Sequence, residues 1–393
     1  MNSTVAPSAP DDYTLADFGL IVLRNVSQVV LQNNAISGGV ILAAIFYHSF
    51  AFGLAALAGS IVSTWTAMFL KTDHNLVKAG LYGFNGVLTA IAIVFYCQTS
   101  FDTIDISWWM MGIYVFFGAV FSTMLTAAIG SMLSVADVPP LTAPFVLASW
   151  LFVAGTHFSP ALSPGHMHPT KRPASVVAAK ESADTVKSSV GGEGEAIGQA
   201  PDNAAADSDD DNSSGVDDDD GDDNDGVYDI DTWWEGAGKG FGEIFFQDNA
   251  ISGYLILLAI AINSPISAAM AVVGVLISIG VAESLGIGEH DIHMGMFSYS
   301  AILTAIAIGG LFFLLTLRGF IYTVFGIVFT TWLYAALAAV LQPLHLPAYT
   351  APFVLVTWIM LYSKSTFQGL VAIPPAEATP PEGNLKRYCE ASQ

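Results

Sequence analysis

Charged residues and cysteines are scarce in this chain of 393 residues, and each scarcity excludes a class of protein. Only 12% of the residues are charged whereas 53% are hydrophobic, which excludes an ordinary soluble composition and indicates that the bilayer is the solvent. The two cysteines, Cys97 and Cys389, exclude a disulfide framework and provide no metal-site spacing. The N-terminus lacks the basic stretch and apolar run of a cleaved signal peptide. We therefore expect a polytopic membrane protein whose first membrane segment directs its own insertion.

The formal net charge of −22 is concentrated in one stretch. Residues 170–235 hold 19 of the 34 acidic and 4 of the 12 basic residues, which leaves 15 acidic and 8 basic residues elsewhere. Because this stretch has few large apolar residues, it cannot bury a core. We predict a disordered acidic insert at 163–233. Its aspartate run at 217–225 does not have the glycine spacing of an EF-hand, so loose cation binding or plain solvation is expected there.

Most of the remaining sequence is present twice. Residues 32–38 read Gln-Asn-Asn-Ala-Ile-Ser-Gly, and residues 247–253 repeat them with one substitution, 215 positions later. Residues 138–145 read Val-Pro-Pro-Leu-Thr-Ala-Pro-Phe, and residues 346–353 read Leu-Pro-Ala-Tyr-Thr-Ala-Pro-Phe, 208 positions later. We call these last two segments the proline octamers. The duplication predicts two copies of one membrane unit.

The duplication also predicts the domain organisation and the fold class. We place membrane repeat 1 at 14–162 and membrane repeat 2 at 234–364, with polar tails at 1–13 and 365–393. Each repeat is expected to be all-α, with about five transmembrane helices and one re-entrant helix. An odd number of crossings would invert the second repeat relative to the first. Basic residues such as Lys71 favour cytoplasmic termini in the plasma membrane, with the acidic insert outside.

The proline octamers carry the strongest chemical signal. Their prolines remove backbone donors and leave carbonyls free beside a threonine hydroxyl, that of Thr142 or of Thr350. Within a membrane, such a break is tolerated where it is buried in protein or lines a water-filled cavity. A single copy is better explained as a proline-bounded loop whose threonine caps a helix. Two copies at matching positions favour a transport site.

At this point the sequence resembles a known family. The two proline octamers, the pattern Gln-x-x-x-Gln-Asn-Asn-x-x-Ser-Gly from Gln28, and Gly-Leu-Tyr-Gly-Phe-Asn-Gly-Val-Leu from Gly80 are similar to the urea transporter family over nearly all of both repeats. The resemblance implies a homotrimer in a lipid bilayer, in which each subunit has a central pore at its pseudo-two-fold axis. Urea would pass passively through a narrow slot with ladders of hydrogen-bond acceptors. Because no nucleophile-elbow or phosphate-loop pattern is present, we expect no enzyme, no cofactor and no nucleic-acid partner.

Carried over by motif, the resemblance assigns ten pore residues. They are Thr142 and Thr350 for the hydroxyls at the pore middle, Gln28 and Glu243 for the acceptors, Phe84, Leu88, Tyr299 and Leu303 for the slot walls, and Leu31 and Phe246 three residues beyond the acceptors. With inverted repeats, the two threonines are expected on opposite sides of one pore. Tyr299 departs from the family pattern, because it adds a hydroxyl where a bare phenyl ring is expected.

Two groups of residues admit more than one interpretation. Glu243 is either a pore acceptor, a structural partner of Lys239 four residues earlier, or a proton relay that would make urea uptake proton-coupled. His290, Asp291 and His293 either bind a metal weakly or lie in a solvated loop, and we expect the loop. The function itself has alternatives: a pore for ammonia, amides or water, and, from a different class, a membrane scaffold whose acidic loop binds cations.

Overall fold

The computed structural model describes residues 13–99, 108–156 and 230–391. The N-terminal tail at 1–13, apart from its last residue, and the acidic insert up to residue 229 lie outside the described residues, and so do the predictions made for them. Within the described stretches the secondary structure is helical, apart from one isolated antiparallel bridge between Phe313 and Ala372. This agrees with the predicted all-α class.

The helices recur in the same order in the two halves. The first half contains α1 (Leu15–Gln28), α2 (Ala35–His48), α3 (Phe50–Phe69), α4 (His74–Lys78), α5 (Phe84–Thr99), α6 (Trp108–Leu133) and α7 (Ala143–Thr156). The second contains α8 (Ile230–Gly242), α9 (Ala250–Asn263), α10 (Pro265–Ser284), α11 (Glu289–His293), α12 (Tyr299–Ile306), α13 (Leu317–Leu341) and α14 (Ala351–Tyr362), and α15 (Pro381–Ala391) follows. Asn34 caps α2, and Asn249, 215 positions later, caps α9. The repeated capping side chain makes these two helices begin at equivalent positions.

Among the described residues, four helices are long and apolar enough to cross a membrane. With their short extensions they are Phe50–Phe69, Trp108–Ala136, Pro265–Ser284 and Leu317–Leu344, two from each half. A fifth candidate is the pair Trp233–Phe245 and Ala250–Asn263, which is bent by 72°. The chain is therefore a polytopic membrane protein.

The stretch from Ile36 to Leu70 is almost free of charge and is interrupted near His48, a pattern that predicts two full spans with a break between them. The structure corrects the first of these spans. The predicted break is present, because α2 ends at His48 and the hydroxyl of Ser49 accepts a hydrogen bond from the backbone N–H of Phe52 at the start of α3. However, α2 has only 14 residues, about 21 Å of helix. That is shorter than the hydrocarbon core of a bilayer, about 30 Å. Helix α2 is therefore one of several short apolar helices, alongside α5, α7 and α12.

Strained backbone positions also recur in both halves. Non-glycine residues with positive φ occur in matching pairs at Leu31 and Phe246, and at Leu141 and Tyr349. A left-handed conformation is uncommon for such bulky residues and persists only where the surroundings impose it. Its presence at equivalent positions means that the two halves share one fold down to their tight turns.

The two halves pack against each other through α2 and α9. Asn34, at the start of α2, donates its side-chain amide to Asn263 Oδ1 at the end of α9, 3.1 Å away. Ser252, near the start of α9, donates its hydroxyl to the carbonyl of Ala44, near the end of α2, at 3.0 Å. The two helices therefore run antiparallel. Buried apolar side chains from both halves form one continuous core around them.

The C-terminal segment at 365–393 is more structured than a polar tail. Its described part folds back onto the second half, where Ala372 bridges Phe313 and Asn384 donates to the carbonyl of Gly310 at 2.8 Å. Gly310 has a φ of 127° at the point where α12 loses regular helix geometry. The freed carbonyl needs a donor inside the protein, and Asn384 of α15 supplies it.

Candidate functional site

The two proline octamers meet in the interior, and their threonines touch. Thr142 Oγ1 lies 2.7 Å from Thr350 Oγ1, and the two residues are 2% and 3% exposed. The prediction that they lie on opposite sides of one pore is wrong, because no solute fits between hydroxyls at hydrogen-bond distance. The physical reason is satisfaction of buried polar groups: each hydroxyl finds its partner in the other. The threonines therefore form one central hydroxyl pair.

Two tryptophans bind the octamers to each other reciprocally. Trp150 Nε1 donates to the carbonyl of Pro347 at 2.8 Å, and Trp358 Nε1 donates to the carbonyl of Pro139 at 2.9 Å. Each tryptophan thus binds the octamer of the other half. Such a pair of exchanged contacts is what a two-fold axis produces. The axis passes between the octamers and therefore close to the hydroxyl pair.

Gln28 and Glu243 occupy equivalent positions, at the end of α1 and just after α8. Gln28 Nε2 donates to the carbonyl of Ala79 at 2.8 Å, which turns its Oε1 away as an acceptor that receives no bond from the described residues. The carboxylate of Glu243 is partly buried, and in the same described part of the chain it accepts no hydrogen bond and forms no ion pair. Both side chains therefore keep acceptor oxygens available.

Lys239 is committed to partners other than Glu243. Its ammonium lies 3.3 Å from Glu235 and 3.1 Å from Asp248. Lys239 thus forms its ion pairs with these two carboxylates, and its interaction with Glu243 is only a longer-range electrostatic one. His293 belongs to the same network, since its Nε2 lies 2.9 Å from Glu235 and its Nδ1 lies 3.5 Å from Lys239. His293 is thus held in place, which corrects its assignment to a solvated loop.

The four residues predicted for the slot walls are buried at the starts of α5 and α12. Leu88 and Leu303 have no exposed surface, and Phe84 and Tyr299 are nearly as buried. The structure therefore places them in packed interior, and their contact with a solute stays a prediction. The hydroxyl of Tyr299 donates to the carbonyl of Tyr349 at 2.7 Å. It is therefore not free for a solute.

Aromatic rings surround the octamers on the side of Phe246. Its ring centroid lies 5.4 Å from that of Phe95, 6.1 Å from Phe145 and 5.8 Å from Tyr349. Phe145 and Tyr349 are themselves 5.1 Å apart. Leu31, the repeat partner of Phe246, is partly buried against the same core. The site prediction missed Phe145 and Tyr349, although both lie within the octamers, beside the threonines.

Comparison with known proteins gives a consistent result. The sequence matches the family described as urea transporter at residues 20–201 and again at 197–365. It is 28% identical to Urea transporter 1 of Ovis aries over 373 residues, which cover 95% of this chain and 84% of that protein. It is 26% identical to Urea transporter 1 of Mus musculus over 369 residues, which cover 94% and 83%. The resemblance seen in the sequence motifs is thereby confirmed, and the chain belongs to the urea transporter family.

Proposed function

We propose that this protein is a passive channel for urea, with a pathway that crosses the pseudo-two-fold axis at the hydroxyl pair of Thr142 and Thr350. The observation that carries the proposal is this pair, buried at the reciprocal contact of two proline-broken segments. Membrane proteins use irregular backbone where it is protected by protein or lines a cavity. Membership in the urea transporter family supports urea as the solute.

The proposed pathway has an acceptor from each half. Gln28 Oε1 and the Glu243 carboxylate are related by the repeat and keep unpaired oxygens. Urea is flat and neutral and carries N–H donors along its edges, so acceptors that replace water lower the cost of its dehydration. The buried rings of Phe84 and Tyr299, with Leu88 and Leu303 behind them, are proposed as slot walls.

Several contacts support inversion of the two repeats. Helix α6 ends near Asp137, which lies 3.0 Å from Lys364 just beyond α14. Ser363 precedes Lys364 in the chain, and its hydroxyl lies 2.8 Å from the hydroxyl of Tyr322, which is in the first turns of α13. The end of α6 and the start of its repeat partner α13 therefore lie together, as expected if the two helices run in opposite directions. We infer an axis in the membrane plane, and cytoplasmic termini in a plasma membrane by the positive-inside tendency.

We also propose the homotrimer that the family resemblance implies. The long helices α6 and α13 carry large apolar side chains on their outer faces, including Phe117, Phe325 and Trp332, which are more than half exposed. Apolar surface of this extent suits lipid tails and neighbouring subunits. Each subunit would contain its own complete pathway, because the octamers of one chain bind each other.

The test is urea flux into proteoliposomes, measured by stopped-flow light scattering, for wild type and for the double variant Thr142→Val with Thr350→Val. Replacing both members of a buried hydrogen-bonded pair by apolar groups of the same shape is nearly neutral for stability. A loss of flux in the double variant therefore reports on the pathway rather than on folding. We expect urea flux to fall about five- to tenfold, the equivalent of one hydrogen bond in the transition state. Thr123→Val is the matched control, since Thr123 is a buried threonine of α6 that bonds its own helix.

Four outcomes would change the proposal. Wild-type flux of urea no faster than in empty liposomes would remove it, and faster flux of ammonia, amides or water than of urea would name another solute. Flux that follows an imposed pH gradient and is lost in Glu243→Gln would instead assign proton coupling. Equal flux in the threonine variant and the Thr123→Val control would remove the hydroxyl pair from the pathway.

A further inference from the structure

Two backbone carbonyls at equivalent positions precede the central threonines. They belong to Leu141 and Tyr349, which are 208 residues apart and have φ values of 51° and 47°. Both residues are buried. A carbonyl that points away from helix geometry inside a protein needs a donor, because an unpaired buried acceptor is costly. How each carbonyl is held decides where the threonine next to it lies.

In the first half the donor is the amide of Asn85. Its Nδ2 donates to the carbonyl of Leu141 at 3.2 Å, and its Oδ1 accepts the backbone N–H of Phe145 at 3.2 Å. Asn85 is fully buried in the first turn of α5. One side chain therefore spans the octamer from the residue before Thr142 to the first turn of α7.

In the second half this asparagine is absent. The equivalent residue, 215 positions later, is Ser300, whose shorter side chain leaves Oγ 3.5 Å from the carbonyl of Tyr349. The hydroxyl of the preceding residue, Tyr299, donates to the same carbonyl at 2.7 Å. The equivalent of Tyr299 in the first half is Phe84, which has no hydroxyl. Two adjacent substitutions thus exchange the donor and keep the bond.

We propose that Tyr299 is the positioning residue of the second proline octamer, in the role that Asn85 has in the first. Its hydroxyl holds the carbonyl of Tyr349 and so keeps Thr350 in contact with Thr142. The ring of Tyr299 is itself fixed by an edge contact with Tyr334, with centroids 5.6 Å apart. For its effect on flux the inference rests on the proposed urea pathway. The exchange of donors can be tested without urea.

The decisive variants first remove the donor of the second half and then give that half the donor used in the first. Tyr299→Phe removes a single oxygen atom. It leaves the carbonyl of Tyr349 with the distant Ser300 hydroxyl and also removes the hydrogen bond between the side chains of Tyr299 and Tyr334. Tyr299→Phe with Ser300→Asn recreates the Phe84 and Asn85 pair of the first half. Ser300→Ala alone is the matched control, because it removes only the 3.5 Å contact.

Three quantities are measured for each variant: the thermal unfolding midpoint in detergent, the urea flux, and the ratio of urea flux to acetamide flux. We expect Tyr299→Phe to lower the midpoint and to reduce urea flux about three- to tenfold, since one buried acceptor loses its donor. We also expect its flux ratio to change, because a displaced Thr350 alters the pathway. A variant that is merely less stable would lose active molecules and keep the wild-type ratio. The variant with Ser300→Asn should recover the urea flux and the flux ratio to within about twofold, as expected when coupled sites compensate. Its midpoint should rise towards the wild-type value without reaching it, because the hydrogen bond with Tyr334 is not restored.

Other results would overturn the inference. A reduced flux in Tyr299→Phe with an unchanged midpoint and no recovery by Ser300→Asn would mean that the hydroxyl acts on the solute. Wild-type behaviour of Tyr299→Phe in every measurement would mean that it positions nothing. If Tyr299→Phe does not fold, recovery of folding by Ser300→Asn supports the inference, and no recovery refutes it. If wild type conducts no urea, the proposed function fails, but the midpoints of the same variants still decide the exchange of donors.

Discussion

The C-terminal helix α15 holds the start of α10 through one carboxylate. Glu382 accepts the hydroxyl of Ser264 at 2.8 and 3.0 Å and the backbone N–H of Ile266 at 2.9 Å. Ile266 lies in the first turn of α10, where backbone N–H groups have no partner within the helix. The positive end of the helix dipole also favours a negative charge there. We predict that loss of this carboxylate loosens α15 and lowers the stability of the whole second half.

The magnitude follows from the two donors. A hydrogen bond to a charged group contributes about 1.5–3 kcal/mol, and Glu382 is partly exposed, so we expect Glu382→Ala to cost about 2–4 kcal/mol. Glu382→Gln keeps an acceptor oxygen and should cost about 1 kcal/mol. For a chain of 393 residues, the alanine variant corresponds to an unfolding midpoint lower by about 2–5 °C. Glu390→Ala is the control on the same helix. Its pair with Lys386 is exposed and 4.0 Å long, and should contribute less than about 0.5 kcal/mol.

The assay is thermal unfolding of purified protein in detergent, combined with limited trypsin digestion. Trypsin can cut after Lys386 and Arg387 only when α15 opens, and in the folded state Arg387 bonds the carbonyl of Glu377 at 2.6 Å. We expect faster cleavage there in Glu382→Ala and wild-type cleavage in Glu390→Ala. Equal midpoints and equal cleavage rates in the two variants would refute the clamp.

Two further predictions concern contacts that the repeats make twice. Trp358→Phe removes the donor to the carbonyl of Pro139 and should cost about 1–2 kcal/mol of stability in the same thermal assay. Its control is Trp332→Phe, at a half-exposed tryptophan. An equal loss of stability in the control would show that ring packing, and not the hydrogen bond, matters. Gly38→Ala should prevent the close approach of α2 to α1, because its Cβ would overlap a backbone carbonyl oxygen of α1. A Cβ added at the adjacent Gly39 would have no other atom within 4 Å. Gly39→Ala should therefore leave the stability unchanged or raise it by up to about 1 kcal/mol, through the higher helix propensity of alanine. Similar midpoints for the two alanine variants would contradict the packing argument.

The repeated organisation could be predicted from sequence because its signals are local. Helix caps, prolines and apolar runs each lie within a few residues of the feature they specify, so the break after His48 was found where Ser49 caps α3. The family could be predicted for the same reason, since its motifs are short and occur in a fixed order. Crossing lengths were less accessible, because an uninterrupted apolar stretch does not show how far each helix extends through the bilayer.

The contacts that define the site and those that hold the C-terminal helix could not be predicted, because they join residues far apart in the chain. The hydroxyl pair joins Thr142 and Thr350, 208 residues apart, and Glu382 reaches Ser264 over 118 residues. Sequence states which groups can bond, but only packing decides which of them reach one another. Tyr299 illustrates the limit: its hydroxyl was expected in the slot, whereas the missing asparagine nearby redirects it to a backbone carbonyl.

The hydroxyl pair on the two-fold axis has a chemical property that neither half has alone. Two hydroxyls in contact cannot remain equivalent, since one must donate to the other, and either Thr142 or Thr350 can be the donor. The accepting hydroxyl still has its own O–H proton to donate to a third group. The donating hydroxyl still has lone pairs that can accept from a third group. In the proposed pathway, the pair therefore offers a donor and acceptors at one point. Urea needs both, because its carbonyl oxygen accepts and its amides donate. A ladder of carbonyl oxygens alone would leave the urea oxygen without a donor. In the proposed pathway, the threonine pair would therefore be the element that distinguishes urea from a solute that only donates.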